Sequence, residues 1–422
     1  MVAKHYSLTQ NSESYYSAKR DTSCRDTTIG SRPLVGSLTV LTRPQPLRTA
    51  TLLTTMRHAL RNTRPCRAAL SILDAPYACG QPFPGPSVAP HLLREHGLVE
   101  MCTAAGYDVR SHDPPNTHFN IAPSVLSSKY PSSGSGNAKH YYHVAKNYHA
   151  VGQSCEAIYQ RVLPLAQTDS FLLILGGDHS IPLGTLPAIR SARPKTGVVW
   201  VDAHADINTT ATSPSGNMVS LRSCLTFTSL HSLTHSLTHS LTHSLTQHGM
   251  TVAVLLGLEP KLLATPHFSW LENALATHGR SACLEPQDIV YVGLRDVDPG
   301  EKAIIQELGI RAYTMSDVDR LGIGGVMSEV TGYFEERDMD IHCSYDIDAI
   351  DPFWAPHTGT GVPGGLTLRE SHYVTEALHN SGRLTSMELV ELNPELHPEV
   401  DARQTTEVGL GVIGSALGRG IL

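Results

Sequence analysis

Three residues that could bind a metal ion lie two positions apart, directly after an apolar stretch. The stretch is Gly197–Val201, which we predict to be a β-strand, and the three residues are Asp202, His204 and Asp206. In extended backbone, residues i, i+2 and i+4 point to the same face. The spacing therefore predicts that these side chains converge just past the end of the strand, in the crevice where ligands of parallel sheets commonly bind.

Two other apolar stretches end in the same kinds of residue. Phe171–Leu175 is followed by His179, and Ile341–Tyr345 is followed by Asp346 and Asp348. Because parallel strands have their carboxyl ends along one edge of the sheet, we expect all six side chains to meet at one site. The alternative is that each aspartate caps a helix and each histidine is satisfied in the core. That alternative requires the same coincidence at three separate strand ends.

The composition of this cluster indicates which ions it would bind. Four carboxylates and two imidazoles are too rich in oxygen for a structural zinc site, which prefers cysteine and histidine. Divalent ions of the manganese type fit better. Crowded carboxylates repel one another unless cations neutralise them. Two divalent ions that share carboxylates would do so, and they would also generate a hydroxide nucleophile near neutral pH.

The order of apolar and amphipathic segments predicts the fold class. Short apolar strands alternate with helical patterns, which is typical of a parallel sheet covered by helices on both faces. We therefore expect one α/β domain that begins near residue 68. The predicted strands are Ala68–Leu73, Phe171–Leu175, Gly197–Val201, Ile289–Gly293, Ile341–Tyr345 and Ser386–Val390. The predicted helices are Pro90–His96, Gly152–Gln167, one from about Glu301, Leu368–Ser381 and Gln404–Arg419, and Ser111–Ala138 is predicted to be a surface loop.

Composition excludes several classes of partner. The chain has 422 residues and a net charge of −7, and its pI is near 6.4, so neither nucleic acid nor a membrane surface is an expected partner. No apolar run is long enough to cross a bilayer. The eight cysteines are scattered and form no C-x-x-C pair, which is typical of reduced thiols in an intracellular protein.

The first 67 residues differ from the rest of the chain. They contain eleven lysines and arginines but only three acids, and no acidic residue occurs between Thr27 and Leu73. Such a composition is found in organelle transit peptides, which would direct the protein to mitochondria. A disordered extension is the other interpretation, with Met56 as an alternative start and the cytoplasm as the expected compartment.

Three motifs resemble the signatures of the ureohydrolase family. They are Gly-Gly-Asp-His-Ser at 176–180, Asp-Ala-His-Ala-Asp at 202–206 and Ser-Tyr-Asp-Ile-Asp-Ala-Ile-Asp-Pro at 344–352. The resemblance covers the chain from about residue 68 to the end, apart from one insert. It implies a three-layer α/β/α sandwich and a dimanganese centre that hydrolyses guanidino or amidino compounds.

Within that family, other segments resemble the arginases. They are Asp206–Asn208, Ser215–Asn217 and Asp296–Glu301. The resemblance implies that the substrate is L-arginine, that the products are L-ornithine and urea, and that the chain forms homotrimers or homohexamers. Agmatinases, whose substrate lacks the α-carboxylate, do not share these segments. An agmatinase-like or other amidinohydrolase remains the alternative enzyme.

The resemblance also implies a role for each residue. His179 and Asp206 would bind one manganese ion, and His204 and Asp348 the other, while Asp202 and Asp346 would bridge the two. Asp206 would also take a proton from the attacking hydroxide and pass it to the departing amine.

Other matching residues would bind the substrate. Glu391 would bind the guanidinium through a charge-assisted hydrogen bond, with Thr360 beside it. Asp298, with Glu301 behind it, would bind the α-ammonium, although acids at these positions are also typical of a helix N-terminus. The α-carboxylate would contact Asn208, Ser215 and Asn217.

An insert of 29 residues, 219–247, interrupts the family pattern. Joining Met218 to His248 restores a His-Gly pair whose histidine is thought to shuttle protons in arginases. The insert repeats Ser-Leu-Thr-His, with a histidine at every fourth position from His231 to His243. A helical metal ladder, a surface loop and a retained intron translated in frame are the three interpretations, and we favour the intron. A displaced His248 leaves open a metal-binding homologue without activity.

Overall fold

The computed structural model describes residues 68–81, 85–112, 147–213, 221–222, 246–247, 249–396 and 401–420, all within one compact unit, His58–Leu422. The predicted extension 1–67 and most of the predicted insert 219–247 lie outside these residues. The strands are β1 (Ala69–Ala75), β2 (Asp108–His112), β3 (Phe171–Gly176), β4 (Thr196–Val201), β5 (Leu221–Arg222), β6 (Thr246–Gln247), β7 (Ile289–Leu294), β8 (Arg311–Thr314), β9 (Asp340–Asp346) and β10 (Leu384–Val390).

Helices connect most of these strands. They are α1 (Ala89–Glu95), α2 (Leu98–Ala104), α3 (Tyr148–Ala166), α4 (Pro182–Ala192), α5 (Thr251–Leu255), α6 (Pro260–Leu263), α7 (Ser269–Thr277), α8 (Pro299–Leu308), α9 (Met315–Glu336), α10 (Leu368–Asn380) and α11 (Arg403–Ala416). Short 3₁₀ turns are formed by Gly85–Val88, Pro286–Asp288 and Ile347–Ala349. None of the helices in the described part of the chain has the length and apolar character that crossing a bilayer requires.

Eight strands form one sheet in the order β2-β1-β3-β10-β9-β4-β7-β8, and every pairing within it is parallel. The last two long strands in the sequence, β9 and β10, therefore lie in the middle of the sheet, between β3 and β4. A second, two-stranded sheet is formed by β5 and β6, which pair in antiparallel fashion.

The strands are buried on both faces, as the predicted three-layer sandwich requires. Along β4, Val199 and Val201 belong to an apolar cluster with residues of α1, α2, α9, α10 and α11. Val198 and Trp200 belong to another cluster, with residues of α3, α4, α5 and α7. Successive side chains of a strand point to opposite faces, so a continuous apolar run supplies both helix layers with a surface to pack against. The predicted fold class is confirmed.

All six predicted strands are present, with ends shifted by a few residues at most. Two edge strands, β2 and β8, were not predicted. Their sequences, Asp-Val-Arg-Ser-His and Arg-Ala-Tyr-Thr, contain no apolar run because an edge strand is covered less completely. The predicted loop Ser111–Ala138 is wrong at Ser111 and His112, which belong to β2, and its remainder lies outside the described residues.

The predicted helices also exist, and their ends differ. The helix predicted from Gly152 begins four residues earlier, at Tyr148, and the one predicted to end at Arg419 ends at Ala416. Several further helices, among them α4 and α9, were not predicted. Helix boundaries are weakly encoded because the terminal backbone groups find partners outside the helix.

Candidate metal centre

The candidate ligands lie where the chain reverses its direction across the sheet. From β4 the chain continues to β7 on one side, and from β9 it continues to β10 on the other side. In open α/β sheets, such a switch point leaves a crevice outside the carboxyl ends of the two neighbouring strands. Asp202 follows β4 directly and Asp346 is the last residue of β9, so the two aspartates border this crevice.

Five of the six predicted ligands form two groups that share one carboxylate. His179, Asp202 and Asp346 offer ligand atoms within 4.8 Å of one another, and so do Asp202, His204 and Asp348. Nδ1 of His179 lies 3.0 Å from Oδ2 of Asp202. Nδ1 of His204 lies 3.4 Å from Oδ1 of Asp202 and 3.1 Å from Oδ2 of Asp348. Since Asp202 faces one histidine with each of its oxygens, it lies between two positions that could each hold an ion.

The sixth predicted ligand, Asp206, lies at the edge of the same cluster. Its Oδ2 is 3.8 Å from Nδ1 of His179, and its Oδ1 accepts a hydrogen bond from the backbone N–H of Gly249 at 3.0 Å. Asp206 has a φ of 49° and Glu391 a φ of 64°, which is the left-handed region that non-glycine residues rarely adopt. Strained backbone of this kind is concentrated at functional sites.

Short backbone contacts hold the acidic turns in shape. The N–H of His204 donates to Oδ1 of Asp202 at 2.7 Å. In the turn after β9, the N–H of Asp348 donates to Oδ1 of Asp346 at the same distance. The two strand ends therefore fold into the same kind of aspartate turn, in which the first carboxylate accepts a hydrogen bond from the backbone two residues on.

The side chains of the cluster perturb each other's pKa values. Burial and the negative charge of Asp202 raise the pKa of Asp206 to about 6, and burial together with Asp348 and Asp202 raises the pKa of Asp346. For Asp202, burial would raise the pKa, but contacts with His179 and His204 prevail and lower it. Burial alone would lower the pKa values of the two histidines, but their aspartate partners raise them well above the usual value.

The donor set fits divalent cations. The cluster holds four carboxylates against two imidazoles, and all six side chains are buried. When all four carboxylates are ionised, even two protonated histidines leave excess negative charge. In the described part of the chain, Nδ1 of His179 has no hydrogen bond of acceptable geometry, although it faces the carboxylates of Asp202 and Asp346 at 3.0 and 3.2 Å. A buried nitrogen that faces carboxylate oxygens without a well-aligned hydrogen bond is the arrangement that a coordinated ion would complete.

Glu391 lies beside this cluster and is held by both of its oxygens. Oε1 accepts a hydrogen bond from the backbone N–H of His179, and Oε2 accepts one from Nε2 of Gln81, each at 2.8 Å. Burial and the negative charge of Asp178 raise the pKa of Glu391. Gln81 was not singled out in the sequence. Its position shortly after an apolar strand was the available signal, because β1 ends at the same edge of the sheet.

Thr360, which was expected beside Glu391, donates a hydrogen bond from Oγ1 to Oδ2 of Asp348 at 2.6 Å. Among the remaining predicted substrate residues, Asn208 donates from Nδ2 to Oδ2 of Asp298 at 2.9 Å. Ser215, Asn217 and His248 lie outside the described residues.

Glu301 links Asp298 to the loop that carries Asp206. Its Oε1 accepts from the N–H of Ile207 at 3.1 Å, and its Oε2 accepts from the N–H of Asp298 at 2.9 Å. Asp298 and Glu301 also form a capping box at the N-terminus of α8. The helix-cap interpretation of these two acids is therefore correct, and it is compatible with a substrate contact.

Comparisons with known proteins agree with this geometry. A sequence model of the Arginase family matches residues 68–418. The hepatic arginase of Aquarana catesbeiana is 36% identical over 356 residues, which is 84% of this chain and 94% of that protein. Arginase-1 of Homo sapiens is 36% identical over 331 residues, 78% of this chain and 85% of that protein.

Solved structures give the same result. The arginase from Bacillus caldovelox superposes with a TM-score of 0.65 at 33% identity, and the match covers 84% of this chain and 100% of that one. The region that matches the family model, residues 68–418, contains the buried ligand groups at the carboxyl ends of β3, β4 and β9. This chain belongs to the arginase family.

Proposed function

We propose that the chain hydrolyses L-arginine to L-ornithine and urea at a centre of two manganese ions. The observation that carries this proposal is the pair of buried ligand groups that share Asp202. The relatives of the chain are named arginases, and oxygen-rich sites with imidazoles suit manganese.

We assign the ligands as the family resemblance implies. His179 and Asp206 would hold one ion, His204 and Asp348 the other, and Asp202 and Asp346 would lie between them. When bound, the two ions would supply a nucleophile derived from water and would offset the charge of the four carboxylates. Each of these side chains is buried, which limits the access of bulk water to them.

The chain's own residues would orient the substrate and move the proton. Glu391 would bind the guanidinium of arginine, as both of its oxygens are already fixed in position by Gln81 and the backbone of His179. Water adds to the guanidinium carbon, and the bond between that carbon and the side-chain nitrogen breaks. Asp206 would carry one proton from the water to that nitrogen, which leaves as the amine of ornithine. The carbon fragment keeps the oxygen and gives up the second proton of the water, which protonates the amine, and urea remains.

A contact near Asp206 favours arginine over other guanidino compounds. Asn208, two positions after Asp206, is in contact with Asp298 at 2.9 Å, so an amide and a carboxylate lie together there. We propose that Asp298, supported by Glu301, binds the α-ammonium, and that Asn208, Ser215 and Asn217 bind the α-carboxylate. Agmatine lacks the carboxylate and would lose the second set of contacts.

Urea release by the purified protein tests this function. We expect release from L-arginine that depends on added manganese, with much slower release from agmatine at equal concentration. Faster turnover of agmatine would favour the related amidinohydrolase. Binding of manganese without urea release from either compound would favour a homologue without activity.

We also propose a homotrimer or homohexamer in the cytoplasm, with mitochondria as the alternative if residues 1–67 act as a transit peptide. The described cysteines form no disulfide, which suits a reducing compartment. Light scattering coupled to gel filtration tests the oligomer, and imaging of the protein with and without residues 1–67 tests the compartment.

A further inference from the structure

A buried glutamate lies behind the candidate metal centre and has no part in the proposed chemistry. Glu388, in β10, has no exposed surface, and neither have its neighbours Ser344 in β9 and Thr185 in α4. Ser344 donates from Oγ to Oε1 of Glu388, and Thr185 donates from Oγ1 to Oε2, each at 2.7 Å. Burial of a carboxylate in a protein core destabilises the fold unless hydrogen-bond donors of this kind compensate for the lost hydration. A buried glutamate at this position therefore suggests a functional role.

The hydrogen bonds of Ser344 connect Glu388 to a proposed metal ligand. Nε2 of His179 lies 2.9 Å from Oγ of Ser344. A hydroxyl has a single proton, and an ionised carboxylate can only accept. Because Ser344 gives its proton to Glu388, its oxygen is left to accept from His179. The ring of His179 must then carry a proton on Nε2.

The polar groups around Glu388 lower its pKa, which favours the carboxylate form. Burial would raise its pKa, but the nearby His342 and the hydroxyls of Ser344 and Thr185 prevail and lower it. Nε2 of His342 lies 3.2 Å from Oε1 of Glu388, and Nδ1 of the same ring lies 2.9 Å from Oγ of Ser386. The buried acid therefore has partners on both sides.

The other nitrogen of His179 faces the candidate metal position. Its Nδ1 lies 3.0 Å from Oδ2 of Asp202 and 3.2 Å from Oδ2 of Asp346. The ring also stacks on Trp200, with centroids 3.9 Å apart and planes 12° apart, so its orientation is held by packing. Only a ring with its proton on Nε2 can direct an Nδ1 lone pair at an ion.

We propose that Glu388 is a positioning residue that acts through Ser344: it keeps the proton of His179 on Nε2, so that Nδ1 is available to bind an ion. This inference rests on the proposed two-metal centre. Mutation of a residue that hydrogen-bonds to a metal-binding histidine typically lowers the metal affinity by about 10–100-fold. Ser344 contacts His179, so we expect loss of the hydrogen bonds from Glu388 through Ser344 to weaken mainly the binding of the ion held by His179.

Manganese titration of the metal-free full chain, without arginine, tests the proposal. Glu388→Gln keeps the size of the side chain but adds an amide that can donate to Ser344, which would turn the hydroxyl proton towards His179. Ser344→Ala removes the hydroxyl that connects Glu388 to His179 and leaves Glu388 in place. We expect each variant to bind one of two ions about 10–100-fold more weakly, while the affinity for the other ion changes little.

Thr185→Val is the matched control, because it removes a hydrogen bond to the other oxygen of Glu388 that lowers the pKa of Glu388 less than His342 and Ser344 do, and it leaves Ser344 untouched. It should bind both ions almost as the unmutated chain does. Melting of each metal-free variant, followed by circular dichroism, separates loss of metal affinity from loss of folding.

Two results would overturn the inference. One is unchanged binding of both ions by Glu388→Gln and Ser344→Ala. The other is an equal loss of affinity in Thr185→Val, which would indicate a general packing effect. If the unmutated chain binds no manganese, the two-metal centre itself is wrong and the inference fails with it. Failure of the two proposals is therefore distinguishable.

Discussion

Gln81 donates a hydrogen bond from Nε2 to Oε2 of Glu391 at 2.8 Å, although the two residues are 310 positions apart in the chain. Gln81 follows β1 and Glu391 follows β10, and β3 lies between these strands in the sheet. The amide leaves the carboxylate little freedom to rotate. Gln81 is itself buried, so water cannot easily replace it.

Removal of this contact should impair arginine binding. We expect Gln81→Leu to lower kcat/KM by about 10–100-fold, the range for a lost hydrogen bond to a charged group, mostly through a higher KM. Steady-state kinetics of urea release measure the effect. Gln306→Ala, on the exposed side of α8, is the control and should match the unmutated chain. An unchanged KM in Gln81→Leu would show that Glu391 needs no such support.

Deletion of residues 219–247 should give the more active protein. Leu221 pairs with Gln247 in the short β5–β6 ladder, and the N–H of Gly249 donates to Asp206. Because the two sides of the insert already run together, its removal requires little movement of the chain. We expect manganese binding to be preserved.

Urea release by the deletion variant should then exceed that of the full chain, by up to about 10²–10⁴-fold if the insert displaces His248 and this residue has the acid–base role that the family resemblance implies. A matched control is His248→Ala within the deletion variant, which should return activity to the level of the full chain. Equal activity with and without the insert would contradict the prediction, as would a gene that lacks splice signals at its two ends.

The shared position of Asp202 predicts unequal effects of two similar substitutions. Asp202→Asn should weaken the binding of both proposed manganese ions, because each ligand group includes this carboxylate. Asp348→Asn should weaken mainly the binding of the ion near His204. Metal analysis after dialysis gives the stoichiometry, and retention of both ions by Asp202→Asn would contradict a shared ligand.

Chelation should destabilise the unmutated chain. Binding of each ion at 100 times its Kd stabilises the folded state by about 2.7 kcal/mol, so treatment with a chelator should lower the Tm by several degrees. Addition of manganese, but not of potassium at equal ionic strength, should restore it. A Tm that does not respond to manganese would argue against a resident metal.

Asp351 should make stability depend on pH. Its carboxylate accepts from the N–H groups of Phe353 at 2.9 Å and Gly364 at 2.7 Å. Burial would raise its pKa, but these backbone donors and that of Gly365 lower it. A folded-state pKa below the unfolded value of about 3.9 stabilises the protein above that pH, and the contribution is lost as the pH falls through the folded-state pKa.

We therefore expect Asp351→Asn to lower the free energy of unfolding by about 1 kcal/mol at pH 6, and by progressively less towards pH 3. Urea denaturation of the metal-free protein at a series of pH values measures the difference, with the exposed Asp319→Asn as control. A difference that stays constant or grows on acidification would contradict the assignment.

The sequence alone predicted the direction in which the side chains of the candidate ligands point. Asp202, His204 and Asp206 alternate along extended backbone after an apolar run, and both features are local. The same reasoning placed His179, Asp346 and Asp348 at the carboxyl ends of neighbouring buried strands. The family motifs then limited the expected reaction to hydrolysis of guanidino or amidino compounds. The edge strands β2 and β8 were missed because they carry no apolar run.

Only the tertiary structure decided which strand ends are neighbours. The position of β10 between β3 and β9 brings Glu391 to Gln81 and Glu388 to Ser344. This strand order depends on the packing of helices against both faces of the whole sheet. Thr360, which was expected beside Glu391, donates a hydrogen bond to Asp348, a contact that the sequence did not predict. Local patterns encode where a side chain points, whereas its partner depends on packing between segments that are far apart in the chain.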